Sequence, residues 1–279
     1  MAPRSVSSRR HPLVAAVLRL RQPAVRRQHG VCLAEGPHLV AEGLRAGLAP
    51  IALIATPEAM ADHAEISAPL RQALEAIPQQ ADPPRGLWPV SDGVLAAMAE
   101  TVTPQGILAV FALPPDWPDH RPALVLALDG VQDPGNVGAL ARALRAFGGP
   151  APALWVGTGT ADPYGGKALR ASAGAAFHLS VRVRSDLAGA LDAWIQGGGE
   201  AWALVPRGGL SLADVRFRRP LALVVGGEGP GVSQAVSGVC RPLSIPMGGG
   251  SESLNAAQAG TIALYVQRTQ ERDRSPGEA

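Results

Sequence analysis

The stretch "IPMGGGSESLNAAQAG", residues 245–260, changes character twice. Its apolar start belongs to a run, 243–247, that reads as a short buried strand. Glycines and Ser-Glu-Ser then break every pattern, and residues 254–268 return to helical spacing. Ser253 and Asn255 stand where that helix begins, so both read as capping residues. A strand passing through a glycine-rich turn into a helix is the repeating unit of a parallel α/β sheet. Such sheets gather ligands at the carboxyl ends of their strands.

The unit recurs upstream. Apolar runs at 123–128, 153–156, 179–183, 201–205 and 221–225 read as strands, and 137–147, 165–175, 187–195 and 232–239 as the helices between them. Continuous apolar strands alternating with helices predict a parallel sheet covered on both faces. Chemistry-bearing residues then belong just after strands, and two more stretches place them there. In "LDGVQDPGNVGALARALRAFG", residues 128–148, Asp133-Pro134-Gly135 is turn chemistry and Asn136 reads as the N-cap of the following helix. Leu140, Leu144 and Phe147 form a stripe that faces the sheet, and Arg142, two residues from Leu140, points away from it. In "LVVGGEGPGVS", residues 223–233, a buried strand ends in Gly226 and Gly227. Glu228 and Gly229-Pro230-Gly231 follow, and then a helix start near Ser233. Glycines there let backbone approach a ligand closely. Glu228 is either a cap or arginine partner, or a site carboxylate.

These loops exclude some chemistries. The glycines at 130, 135 and 138 do not match G-x-G-x-x-G and no G-K-[ST] follows, which disfavours a dinucleotide-dependent oxidoreductase or a P-loop enzyme. The histidines show no ligand spacing, so no metal is expected. Cys32 and Cys240 read as reduced core thiols of a cytoplasm-like compartment.

Formal net charge is only +2, but Arg4, Arg9, Arg10, Arg19, Arg21, Arg26 and Arg27 all precede the first acidic residue, Glu35. A positive face of this kind attracts phosphate backbones, with a solvated helix face as the plain alternative. No apolar run approaches the ~20 residues of a membrane span. Arg19 and Arg21 interrupt the short apolar core of the start, so a secretory signal is not expected and the cytoplasm is, although arginine- and serine-rich starts also occur in organelle transit peptides. Proline-rich "ALPPDWPDHRPA", residues 112–123, marks a boundary. It divides a small α/β domain, 1–112, from a linker, 113–122, and a larger domain, 123–279. In the first, 12–20 and 38–46 read as helices, 31–34, 50–55 and 107–111 as strands, and 78–89 as a loop.

Taken in order, "DPGNVGALAR", "GGEGPGVS" and "IPMGGGSESLNAAQAG" resemble the three motifs of the SpoU/TrmH-type RNA 2′-O-ribose methyltransferases of the SPOUT superfamily. "ADPYGGKALRASAGA", residues 161–175, is similar to the family's segment between its first two motifs. "RQHGVCLAEGPHLVAEGLRAG" is similar to its RNA-recognition domain, which resembles ribosomal proteins that bind kinked RNA. The resemblance implies a parallel-sheet, Rossmann-like SPOUT catalytic domain with a carboxy-terminal trefoil knot, a homodimer, and S-adenosylmethionine as cofactor. It makes Arg142 the main catalytic residue, as base or phosphate clamp, with Asn136, Glu228, Asn255 and Ser253 beside it. The cofactor would lie against Gly226, Gly227, Gly229, Ile245, Met247, Ser253, Leu254 and Asn255, and RNA against Arg9, Arg10, Arg26, Arg27 and Arg170, with Ser172 near the RNA or the catalytic loop. Ribosomal RNA is favoured over transfer RNA as substrate, because an added shape-reading domain suits folded loops. A catalytically silent knotted RNA-binding protein is the contrasting reading. The small residues Ala256, Ala257, Ala259, Gly260 and Ala263 suit a close contact in a knot, a dimer or ordinary helix packing.

Overall fold

A computed structural model of the chain describes residues 5–113, 122–248 and 253–274. These divide into two compact units. The first contains the described chain up to residue 113 together with Tyr164–Phe177, and the second contains the remainder. The expected linker lies almost wholly outside the described residues.

The first unit is built on a mixed sheet of β1 (Val31–Glu35), β2 (Pro50–Ala55), β3 (Gln80–Ala81), β4 (Pro84–Pro89) and β5 (Ile107–Ala112), in the order β1-β5-β2-β4-β3. β5 explains why such short runs fold: Ile107, Ala109 and Phe111 enter one apolar core while Leu108 and Val110 enter another. Both faces are covered. Helices over Pro12–Arg19 and Pro37–Arg45 stand close to the predicted ones. The 78–89 stretch, read as a loop, instead contains β3 and β4, and β4 pairs in parallel with β2. Prolines at both ends of β4 and Gly86 at φ +80° disguise it, although Leu87 and Trp88 are buried.

Tyr164–Phe177 joins this unit through its own apolar side chains. Leu169, Ala176 and Phe177 enter the core containing Phe111, with the two phenyl centroids 6.5 Å apart. The helix predicted over 165–175 is a short one, Gly166–Ala171, followed by a tighter turn at Ala175–His178.

The second unit is a seven-stranded sheet of β6 (Leu124–Asp129), β7 (Ala153–Gly157), β8 (Ser180–Arg184), β9 (Glu200–Leu204), β10 (Leu210–Ser211), β11 (Leu221–Gly226) and β12 (Arg241–Ser244). The order is β10-β12-β9-β11-β6-β7-β8, and every pairing is parallel. β6 sends Leu124, Leu126 and Leu128 to one core and Val125 and Ala127 to the other, the two-sided burial expected of its continuous apolar sequence. β11 and β12 each lie beside β9, so the carboxyl ends of β9, β11 and β12 are adjacent. β12 ends at Ser244, and Ile245–Met247, expected as strand, are irregular.

The last helix, Ala256–Arg274, packs on the helix Pro134–Phe147 and on β11. A methyl group at Gly260 would lie 2.3 Å from Leu140 Cδ2 and 3.0 Å from Val225 Cγ2, so this crossing tolerates only glycine without repacking. Within one subunit the small residues therefore serve close helix–sheet packing.

Candidate active site

Three loops after adjacent strands converge on one cavity of about 180 Å³. Leu204, Val205 and Pro206 come from the end of β9, Val225–Gly229 and Gly231 from the end of β11, and Ile245, Met247, Ser253 and Leu254 from the chain after β12. Every residue expected at the cofactor lines it except Asn255, which stands beside it at the start of the last helix. Gly249 and Gly250 of the opening stretch lie outside the described residues. The wall at 204–206 was missed, although the same signal was available: an apolar run followed by Pro-Arg-Gly-Gly.

The β11 loop is held by its backbone. Gly227 and Gly231 exchange hydrogen bonds of 3.2 and 3.1 Å, which pinch Glu228-Gly229-Pro230 into a small hairpin. Gly231 has φ +67°, a backbone state favourable to glycine. A methyl group on Gly226 would lie 2.2 Å from the Gly231 carbonyl carbon, and one on Gly227 2.3 Å from the Gly130 oxygen. The loop closes only because both residues lack side chains.

Beside the cavity, polar side chains form a chain whose orientation follows from one end. Asn255 caps the last helix: its Oδ1 accepts from the N–H groups of Ala257 and Gln258 at 2.9 and 3.3 Å. Its Nδ2 is thereby left to donate, and it does so to Asn136 Oδ1 at 3.1 Å. That turns the Asn136 amide so that its Nδ2 donates to Glu228 Oε1. One residue from each of the three motifs takes part. Asn136 is not the N-cap expected. Asp133 caps that helix, accepting from Gly135 N at 2.9 Å with Pro134 at the first helical position. Asn136, two residues further in, is free for the network. Arg142 is exposed on the same helix and bonds to no described residue.

Several arginines are committed elsewhere. Arg26 is 3% exposed, and its Nη1 donates to the Leu20 and Arg21 carbonyls, both at 2.7 Å. It satisfies the carboxyl end of the first helix and is no RNA contact, a correction that local charge counting had no means to make. Arg170, expected at RNA, pairs with Glu100 at 3.1 Å and lies 4.0 Å from Glu35, whose carboxylate also accepts from Glu100 and Thr101 N–H groups. Ser172 is fully buried and donates to the Leu169 carbonyl, so it cannot reach RNA. Arg9 donates to the Gly93 carbonyl. The side chains of Arg10 and Arg27 are exposed and bond to no described residue.

Both cysteines are buried and neither forms a disulfide. Burial, helped by the Asp129 carboxylate, pushes the Cys240 thiol from 9.0 up to about 12. Between those pH values the folded chain keeps a proton that the unfolded chain releases, so stability falls as pH rises above about 9. Denaturant titrations from pH 8 to 11 should show this loss, and Cys240→Ala should flatten the slope by about one proton.

The chain belongs to the SpoU rRNA methylase family, whose model matches residues 123–265. A model for the MRM3-like substrate-binding domain matches residues 11–109. The particular relatives are consistent. The 23S rRNA (guanosine(2553)-2′-O)-methyltransferase RlmP of Bacillus subtilis is 33% identical over 241 residues, covering 85% of this chain and 88% of its own. An uncharacterised tRNA/rRNA methyltransferase of Synechocystis is 32% identical over 274 residues, covering 96% of this chain and 94% of its own. The SpoU methyltransferase AviRb of Streptomyces viridochromogenes, solved with AdoMet, superposes with a TM-score of 0.77 at 25% identity, covering 95% of this chain and 98% of that one. The expected fold class, a parallel-sheet SPOUT catalytic domain with a small α/β amino-terminal domain, is the one found.

Proposed function

We propose that the protein transfers a methyl group from S-adenosylmethionine to a ribose 2′-hydroxyl of RNA, with ribosomal RNA as the substrate class. The observation that carries this is the cavity at three strand ends, in which the carboxylate of Glu228 is the only charged side chain among the described residues of the lining. An anionic, otherwise apolar and backbone-lined site suits a nucleoside that carries a positive sulfonium. Leu204, Val205, Ile245 and Leu254 offer apolar walls for a purine, and the glycine backbones offer hydrogen bonds to its edges and ribose. Bound there, S-adenosylmethionine supplies an electrophilic methyl group.

The chain's own residues then position the hydroxyl and manage its proton and charge. Asn255 and Asn136 hold Glu228 in one orientation at the cavity wall. Arg142 keeps its proton, since a guanidinium pKa lies above ~12, and we assign it the role of clamping the phosphate beside the target ribose. Ser253 stands at the mouth, where it orders the approach of that ribose. We also propose a homodimer acting in the cytoplasm, where the buried thiols remain reduced. No helix among the described residues is long and apolar enough to cross a membrane, and no described cluster of His, Cys, Asp or Glu is arranged to hold a metal. The domain division at 112 and 123 is carried forward as part of the proposal, with residues 1–112 as the RNA-recognition part.

The test is methyl transfer from radiolabelled S-adenosylmethionine to total RNA from cells lacking this gene. Label recovered as a 2′-O-methylnucleoside in ribosomal RNA is expected. Label in transfer RNA alone changes the substrate class, and cofactor binding without any transfer returns the chain to a silent RNA binder. A second expectation concerns Arg10 and Arg27. Replacing both with alanine should weaken RNA binding across sequences and reduce the slope of log K against log salt by about 1–2 units. Nitrocellulose filter binding at several salt concentrations measures it.

A further inference from the structure

We infer that Asp129, which does not itself line the cavity, is a positioning residue that clasps the β11 loop and so sets the cofactor site. This rests on the reading of the cavity as the cofactor's. Asp129 is the last residue of β6 and stands in register with Gly226 on β11. It holds the loop from both sides. Its backbone carbonyl accepts from Gly227 N at 3.0 Å, where the loop begins, and its Oδ2 accepts from Ser233 N at 2.7 Å, just after the loop ends. The Gly227–Gly231 pinch lies between these two points.

The loop has few other restraints of its own. Glu228, Gly229 and Pro230 are exposed, and a methyl group on Gly229 would meet no described atom within 4 Å. Its shape therefore depends on where its two ends are fixed, and a carboxylate is the stronger acceptor for the second of them. Loosening Ser233 moves the Gly229–Gly231 side of the cavity and the carboxylate that Asn136 holds. Asp129 itself is not among the residues lining the cavity, so its influence on the cofactor passes through this loop.

The experiment compares four variants of the full-length chain. Asp129→Ala removes the acceptor, whereas Asp129→Asn keeps an oxygen for Ser233 N–H. Ser233→Pro removes the donor at a position whose φ of −61° already suits proline. Ser233→Ala removes only the hydroxyl that caps Val236 N and keeps the N–H. Hydrogen exchange of residues 225–233 reads the clasp, and calorimetry with S-adenosylmethionine reads the site. Asp129→Ala and Ser233→Pro should speed exchange and weaken the cofactor roughly ten- to a hundredfold, the equilibrium factor of a lost charge-assisted hydrogen bond. Asp129→Asn should fall between Asp129→Ala and the parent, and Ser233→Ala should stay close to the parent. Unchanged exchange in Asp129→Ala overturns the clasp whatever the cofactor does, and faster exchange with unchanged affinity overturns its influence on the site. Should the parent protein bind no S-adenosylmethionine while the exchange pattern holds, the clasp stands and the cofactor reading fails.

Discussion

Arg142→Ala should reduce methyl transfer by about 10²–10⁴-fold, the range of a positioned group that acts on charge or proton in the transition state. Cofactor binding should remain nearly intact. The separation follows from geometry: Arg142 is exposed, is absent from the cavity lining, and forms no bond to a described residue whose loss would disturb the site. Its loss removes a charge and leaves the fold alone, since the buried stripe of its helix is carried by Leu140 and Leu144. Single-turnover assays at saturating cofactor, with calorimetry in parallel, separate the two effects. Arg142→Lys refines the assignment. A lysine keeps the charge but not the planar fork, so partial recovery indicates electrostatic attraction and no recovery indicates bidentate grip on phosphate. Near-normal turnover in the alanine variant would remove Arg142 from the mechanism.

Gly226→Ala should abolish measurable cofactor binding and lower stability by about 1–3 kcal/mol, the usual cost of forced overpacking. The added methyl would sit 2.2–2.4 Å from three backbone atoms of Gly231 and Val232, and backbone there has no rotamer to escape into. The hairpin must open, which displaces Glu228 from Asn136. Gly248→Ala is the matched control, because its methyl meets no described atom within 4 Å. Thermal denaturation and calorimetry on the pair give the outcome. If Gly226→Ala binds cofactor like the parent, the pinch is not what shapes the site.

Much of this was legible in the sequence, for a physical reason. A strand buried on both faces must be apolar throughout, so β6, β7, β9 and β11 announced themselves, and chemistry at their ends followed from the parallel arrangement. The three glycine-bearing loops were visible because close backbone approach excludes side chains. What was hidden depended on partners far along the chain. Asn136 and Asp133 are both good caps by type, and only the Asn255 amide, more than a hundred residues away, decides which one is spared for the site. Arg170 looked like a free cation because nothing local reveals the carboxylates of Glu35 and Glu100; the carbonyls that hold Arg26 lie only six and five residues before it, but counting charges does not register backbone acceptors. β4 was lost among its prolines. The trefoil knot that the family resemblance implies has no local signature at all.

The allegiance of Tyr164–Phe177 has a consequence for how such proteins can be rebuilt. This piece lies between β7 and β8 in the chain yet shares its core with the first unit. The two units are therefore joined by covalent crossings on both sides of Tyr164–Phe177 as well as through residues 114–121. A single protease cut near residue 117 leaves them tethered, and a truncation starting at 123 carries off a fragment whose Leu169, Ala176 and Phe177 have lost their companions. Exchanging the amino-terminal unit between relatives means transplanting two separate stretches together. The first unit is a module in space but not in the gene, and recombination at a single point cannot reshuffle it.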